Sequence, residues 1–136
     1  MHREQIYKDD NLLLEYISEG NYIHETWWGL TPSHKFLKLL DVIIQTLEKK
    51  QADGLLLDAR DHLGITQKDR DLAAKRHTEY ALNHGKLKQA IIMPKDFFSA
   101  HSVKSYAERF EDTQPSIIMY FSEISAAENW LKDIGD

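Results

Sequence analysis

The sequence predicts an α/β fold in one domain, and three observations support this prediction. Strand-like and helix-like segments alternate from about residue 22 to the end of the chain. Two predicted strands, residues 55–57 and 89–93, are apolar on both faces, as in the middle of a parallel sheet that helices cover. The 136 residues contain no linker or low-complexity segment, and this length suits one domain. We therefore expect the order β-β-α-β-α-β-α-β-α, a mostly parallel mixed sheet with an N-terminal hairpin, and an ordered core of about residues 12–134.

The predicted structure begins with an antiparallel hairpin. Residues 12–17 and 22–28 are rich in β-prone side chains, and the turn between them contains Gly20 and Asn21. Neither face of the second strand is uniformly apolar. The alternation of its side chains therefore does not show which face meets the core.

Two adjacent tryptophans near the end of this hairpin, Trp27 and Trp28, are the most unusual local feature. Neighbouring residues on a strand point to opposite faces, so at most one of the two indoles lies in any one core. The other indole could line a pocket or an interface, where aromatic side chains are common. Helices on both faces of the sheet would instead bury both indoles, and the sequence leaves these two interpretations open.

The first helix has clear start and stop signals. Thr31 can cap it, and Pro32 suits its first position because the N–H of that position lacks a partner anyway. Apolar residues recur at steps of three and four from residue 36 to 47, which predicts one buried stripe. The pair Lys49-Lys50 falls in the last turn, where cations complement the helix dipole.

A polar loop over residues 59–65 is expected to lead into the second helix. Thr66, followed three positions later by Asp69, resembles a capping box. The helix is predicted to continue to residue 83 or 84. Gly85 then suits a left-handed stop.

The same alternation continues to the C-terminal part of the chain. A proline ends the buried strand at residues 89–93, and a third helix is predicted at about residues 99–110. The last strand is expected at residues 116–121. Ser122 can cap a final helix that stops near Gly135.

Composition excludes several classes of protein. The chain has no cysteine, so it has neither disulfides nor thiolate metal sites, and this suits a cytoplasmic protein. Its charged N-terminus does not resemble a secretory signal, and no apolar run approaches the roughly 20 residues of a membrane helix. The net charge is −5 and the basic residues are scattered among acids. We therefore expect no nucleic-acid partner and no membrane insertion.

Ligands of open parallel sheets usually lie beyond the carboxyl ends of the strands, near a switch in strand order. This rule selects Trp28, Asp58, Arg60 and Lys95 as candidate ligand-binding residues. Asp58 directly follows a buried strand, so its carboxylate, with Arg60 beside it, could bind a polar ligand. The structural alternative is that Asp58 braces the loop through an ion pair with Arg60.

No residue cluster specifies a reaction. The seven histidines lack the spacing of a zinc site, no nucleophile elbow is present, and the six glycines form no phosphate loop. We therefore expect no metal, no cofactor and no catalytic residue. A second hypothesis is a small hydrolase or lyase that uses Asp58 and His62 as an acid–base pair, which requires the two side chains to converge.

Two segments carry a resemblance to a known family. These are LLLDAR at residues 55–60 and FSEISAAENWL at residues 121–131, together with the leading hairpin and the helix that Thr31-Pro32 opens. With the predicted element order they resemble the small bacterial STAS-like proteins, which share the fold of the anti-sigma-factor antagonists. Some relatives of that family are compared with lipid-binding CRAL-TRIO domains. The resemblance covers about residues 12–134.

The resemblance implies a non-enzymatic regulatory module that binds a protein partner or a small apolar, lipid-like ligand. Anti-sigma-factor antagonists are switched by phosphorylation of a serine at the start of the helix after the third strand. Here that stretch contains no Asp-Ser pair, and Thr66 is the hydroxyl at the helix start, where capping already explains it. A third hypothesis is that the αβ surface serves to form a homodimer.

Overall fold

The fold is built on one six-stranded sheet whose strands lie side by side in their order along the chain. The computed structural model describes residues 3–93 and 116–133. Neighbours β1 to β3 are antiparallel, and the pairs from β3 to β6 are parallel. This confirms the predicted α/β fold with a mostly parallel mixed sheet. The strands are β1 (Arg3–Lys8), β2 (Leu12–Ile17), β3 (Tyr22–Leu30), β4 (Gly54–Gly64), β5 (Leu87–Ile92) and β6 (Ser116–Phe121).

Helices cover both faces of this sheet. They are α1 (Ser33–Lys50), α2 (Gln67–His84) and α3 (Ile124–Lys132). One face, called here the helix-pair face, packs against α1 and α2, where Ile23 and Leu55 join the same apolar cluster as Leu40. The opposite face, called the α3 face, places Leu56 in a cluster with Leu131. Because successive side chains of a strand point to opposite faces, the strands contribute buried side chains to two separate cores.

Strand β1 was not predicted. The expected hairpin of β2 and β3 is present, but β1 adds a third antiparallel strand outside it. The sequence of β1 is mostly polar and largely exposed, so it carries no apolar alternation. Long-range ion pairs accompany its ladder: Arg3 contacts Glu15 at 2.8 Å, and Glu4 contacts Lys50 at 2.9 Å.

The helix caps were predicted in part. The Thr66 hydroxyl accepts the N–H of Asp69 at 3.1 Å, and Gly85 ends α2 with φ +105°, both as expected. Thr31 does not cap α1, because its hydroxyl lies 3.3 Å from Nε2 of His62 and Pro32 occupies the N-cap position. The predicted Ser122 cap of the final helix is also wrong. Glu123 occupies that N-cap position and makes no side-chain capping bond.

Strand β4 continues beyond its predicted end. A loop was expected from residue 59, but β4 runs on to Gly64 because β3 also continues and pairs with it. The register shifts from Thr26 opposite Asp58 to Trp28 opposite Asp61, so β4 contains one extra residue there, a β-bulge. A second shift of one residue follows between Gly29 and Leu30, which pair with His62 and Gly64.

The helix predicted at residues 99–110 and the stop near Gly135 lie outside the described residues. So does Lys95. Within residues 3–93 and 116–133, no helix is both long and apolar enough to cross a membrane.

Candidate functional site

The predicted pair of Asp58 and Arg60 is formed. Arg60 donates to both carboxylate oxygens of Asp58, from Nε at 2.9 Å and from Nη2 at 2.8 Å. Burial would raise the pKa of Asp58, but the hydrogen bonds and the charge of Arg60 outweigh it and hold that pKa below its usual value. Asp58 is therefore an ionised, paired carboxylate at neutral pH. The ion pair agrees with the structural alternative, in which Asp58 braces the chain through Arg60.

The two tryptophans divide between the faces. Trp27 is 4% exposed on the helix-pair face, with its ring centroid 5.9 Å from that of Phe36. Trp28 is half-buried near the carboxyl end of β3 and pairs across the ladder with Asp61. The structure thus answers the question that the sequence left open: Trp27 is the core residue.

The bulge separates Asp58 from His62. Before it, Leu57 and Ala59 line the helix-pair face, whereas Asp58 lies between them on the α3 face. After the bulge, the alternation resumes one residue out of step, so His62 lies on the helix-pair face, 5.2 Å from Trp27 between ring centroids. The two side chains contact different partners, and the convergence that an acid–base pair requires is not formed.

A cavity of about 90 Å³ lies between β3, β4 and the two helices of the helix-pair face. Apolar side chains form most of its wall. Its polar and charged lining residues are Glu25, His62, Arg70 and His77. The sequence analysis had not selected Glu25, Arg70 or His77.

Glu25 is the most unusual of these residues, because it is a carboxylate residue that is only 3% exposed. Its Oε1 accepts the indole N–H of Trp27 at 2.9 Å. Its Oε2 has no hydrogen-bond partner among the described residues. Burial raises the pKa of Glu25 to about 7, against the smaller opposing effect of the bond from Trp27.

The two histidines of the cavity are neutral at pH 7. Burial lowers the pKa of His62, and it lowers the pKa of His77 to about 4. Nδ1 of His77 lies 2.7 Å from the carbonyl oxygen of Ala73, which fixes the tautomer with the proton on Nδ1. Arg70 donates to the carbonyl of Ile65 at 2.7 Å and to Gln67 at 2.7 Å.

Sequence reasoning missed this cavity because Glu25 interrupts an otherwise apolar strand face. The alternation of Ile23, Glu25 and Trp27 was visible, and these three side chains are buried on the helix-pair face. A charged residue between two core residues on one strand face is the signal that could have found it.

The hydroxyl of Thr66 is exposed at the start of α2 and is engaged in capping. In the part of the chain that the structure describes, no three His, Asp or Glu side chains gather closely enough to hold a metal ion.

No family model and no curated protein matches this chain. Among solved structures it is similar to an uncharacterised DUF3478-family protein with a SpoIIAA-like fold from Shewanella loihica PV-4. That protein has 16% identity and a TM-score of 0.57, over 93% of this chain and 98% of the other. SiaC of Pseudomonas aeruginosa has 14% identity and a TM-score of 0.54, over 89% of this chain and 100% of SiaC.

A third similar structure is a chain from the complex of the diguanylate cyclase SiaD with its activator SiaC, also from Pseudomonas aeruginosa. It has 14% identity and a TM-score of 0.54, over 86% of this chain and 98% of that chain. At such identities the likeness concerns the fold. The chain has the SpoIIAA-like fold, which is the STAS-like fold that its sequence predicted.

Proposed function

We propose that this chain is a non-enzymatic regulatory domain that acts by binding a protein partner. The observation that carries the proposal is the likeness to SiaC over 89% of this chain and the whole of SiaC. SiaC is the activator of a diguanylate cyclase and is seen in complex with that enzyme. A cytoplasmic signalling protein is therefore the class of partner we propose.

The proposed docking surface lies at the carboxyl ends of β3 and β4. We call it the carboxyl-end surface and define it by Trp28, Leu30, Arg60 and Leu63. Leu30 is 67% exposed and Leu63 is 76% exposed, so two large apolar side chains face solvent on adjacent strands. Apolar and aromatic side chains with an arginine nearby are typical of binding hot spots.

The contacts of Asp58 argue against a catalytic role. A carboxylate held by two bonds from Arg60 is a weak base and a poor proton donor at neutral pH. His62 lies on the other face of the sheet, in contact with Trp27. These contacts give no support to the hydrolase or lyase hypothesis.

The test begins with quantitative affinity capture from cells that produce the protein. Wild type is compared with Leu63→Asp, which places a charge on the carboxyl-end surface. The matched control is Leu82→Asp, at another leucine that is 59% exposed. Leu82 lies in the last turn of α2, where His84 contacts Asp53 ahead of β4, so it lies at the opposite end of the strands.

We expect a partner that wild type and Leu82→Asp retain equally and that Leu63→Asp loses by about tenfold or more. The purified partner must then bind the purified domain with the same order of affinities and change its activity on binding. A partner that binds Leu63→Asp as well as wild type would move the docking surface elsewhere. Recovery of the chain itself as the sole specific ligand, with a dimer in light scattering, would favour the homodimer over the regulatory proposal.

A further inference from the structure

We propose that the cavity on the helix-pair face binds a small molecule with a compact apolar body and one hydrogen-bond donor. This donor forms a hydrogen bond to Oε2 of Glu25. This site goes beyond the proposed regulatory function and shares no lining residue with the carboxyl-end surface. Three features of the described residues support it: a buried acceptor, the lack of a counter-charge, and a cavity of suitable size.

The first feature is the unsatisfied carboxyl oxygen. Glu25 is 3% exposed and lines the cavity, and the described residues provide a donor for Oε1 but none for Oε2. A buried polar atom without a partner is costly, and such atoms in folded proteins are usually satisfied by water, an ion or a ligand. When Glu25 is ionised, Oε2 therefore provides a strong acceptor in a wall that apolar side chains mostly form.

The second feature is the charge around Glu25. Within the described residues no Lys, Arg or His nitrogen forms an ion pair with its carboxylate, and burial is the main cause of its raised pKa. The neighbouring imidazoles of His62 and His77 are neutral because burial lowers the pKa of each. Arg70 also lines the cavity, but its guanidinium donates to Ile65 and Gln67. A ligand that donates a hydrogen bond would thus satisfy the Glu25 oxygen that lacks a donor. Nε of Arg70, another buried atom without a hydrogen-bond partner among the described residues, is a donor and would not compete with the ligand for that oxygen.

The third feature is size. The cavity holds about 90 Å³, and the side chains of Phe36, Leu40 and Ile43 form part of its wall. An apolar cavity of about 150 Å³ binds benzene. Since benzene has six carbon atoms, a cavity of this volume has room for about four non-hydrogen atoms. A short branched alcohol or amine has this size.

Three probes of equal size test the chemistry. Isopropanol and isopropylamine each present a donor on the same three-carbon frame, whereas acetone presents an acceptor and no donor. We expect at least one of the two donors to shift the indole N–H resonance of Trp27 saturably in ¹⁵N NMR, because that N–H is bonded to Glu25. The probes are added at about pH 8.5, above the pKa of Glu25, because a protonated carboxyl group would itself donate to acetone. Under these conditions acetone should produce no saturable shift. The indole resonances of Trp28 and Trp130 serve as internal references.

The two donor probes also distinguish the charge state of the ligand. Saturation by isopropylamine but not by isopropanol indicates a cationic ligand that pairs with ionised Glu25. Saturation by isopropanol indicates that a neutral hydroxyl is sufficient.

Two variants attribute the binding to this cavity. Glu25→Gln keeps the side-chain shape and should weaken donor binding by about tenfold or more, since the amide exchanges an acceptor oxygen for a donor nitrogen. Glu15→Gln changes the adjacent strand on the α3 face, where Glu15 contacts Arg3, and should leave binding unchanged. If Glu25→Gln fails to fold, Ala73→Val narrows the same cavity and should reduce binding while Glu25 remains.

The proposal is overturned if neither donor saturates, if acetone binds as well as the donors, or if both cavity variants bind like wild type. None of these outcomes depends on partner capture. Failure of this site would therefore leave the carboxyl-end surface untouched, and the reverse also holds.

Discussion

The indole N–H of Trp27 donates a hydrogen bond of 2.9 Å to Oε1 of Glu25, two residues earlier on the same face of β3. Both side chains are buried, at 4% and 3% exposure. The bond joins the aromatic part of the core to an ionisable group that the core would otherwise exclude. The titration of Glu25 therefore links the stability of the fold to pH.

We predict that Glu25 makes the protein less stable as the pH rises through neutrality. Its pKa is about 7 in the folded protein and 4.5 when unperturbed, so the folded state holds the proton more tightly. The stabilisation is complete below about pH 4.5 and is lost as the pH rises through about 7, by about 3 kcal/mol in total. Urea unfolding at several pH values, with Glu25→Gln subtracted, isolates this contribution. If the free energy of unfolding changed with pH in the same way for wild type and Glu25→Gln, the prediction would be contradicted.

His77 is predicted to have the opposite effect in the acid range. Burial lowers its pKa from 6.5 to about 4, so the unfolded state binds the proton more readily. Its contribution is complete above about pH 6.5 and is lost as the pH falls towards 4, by about 3 kcal/mol. NMR should show an imidazole that remains neutral, with its proton on Nδ1, down to about pH 5. A midpoint near 6.5 for His77 would show that the ring is not buried in solution.

Removal of Arg60 should cost more stability than removal of the charge on Asp58. The carboxylate side chain is 9% exposed and the arginine side chain is 41% exposed. Arg60→Met therefore leaves a buried, unpaired charge, at a cost of about 1–3 kcal/mol at pH 7. Asp58→Asn leaves an arginine that water can solvate, so its cost should be smaller. Denaturant unfolding of both variants and of the double variant measures the order, and a reversed order would contradict the burial argument.

Tyr80 is expected to stabilise the packing of α2 against the end of α1. Its hydroxyl lies 3.0 Å from the carbonyl oxygen of Leu47 and 2.6 Å from that of Ala52, and it donates to this buried pair of acceptors. Tyr80→Phe keeps the ring but removes the donor, so we expect a loss of about 1–2 kcal/mol in thermal or urea unfolding. Tyr7→Phe, where the lost hydroxyl bonds to the less buried Asp9, is the control and should cost less. Equal losses of stability in the two variants would contradict the prediction that the buried Tyr80 hydrogen bond stabilises the fold more.

The sequence was sufficient for elements that carry their own local signals. The bounds of α2 follow from the Thr66 cap and from Gly85, which adopts φ +105°. Strand β1 carries no such signal, because it is polar and depends on its ladder to β2. The extension of β4 to Gly64 depends likewise on the length of β3. Elements that exist through distant pairing are therefore the ones that local patterns miss.

Among the candidate sites, too, local contacts could be predicted from the sequence and contacts that depend on distant pairing could not. Asp58 and Arg60 are two residues apart, and their predicted contact is formed. The Asp58–His62 pair looked equally plausible by spacing. One extra residue in β4, which only the pairing with β3 reveals, turned His62 to the other face. The Glu25 cavity needs four separate elements to close around it, so no local pattern could outline it.

The contact between Arg3 and Glu128 joins positions that are 125 residues apart in the chain. During synthesis α1 and α2 leave the ribosome long before α3, so the helix-pair face can be covered while the other face still lacks α3. Until then, Tyr22 and Leu56 lack the packing that Leu131 later provides. The nascent chain therefore exposes one apolar sheet face for a time, and this face is where we expect a ribosome-associated chaperone to bind.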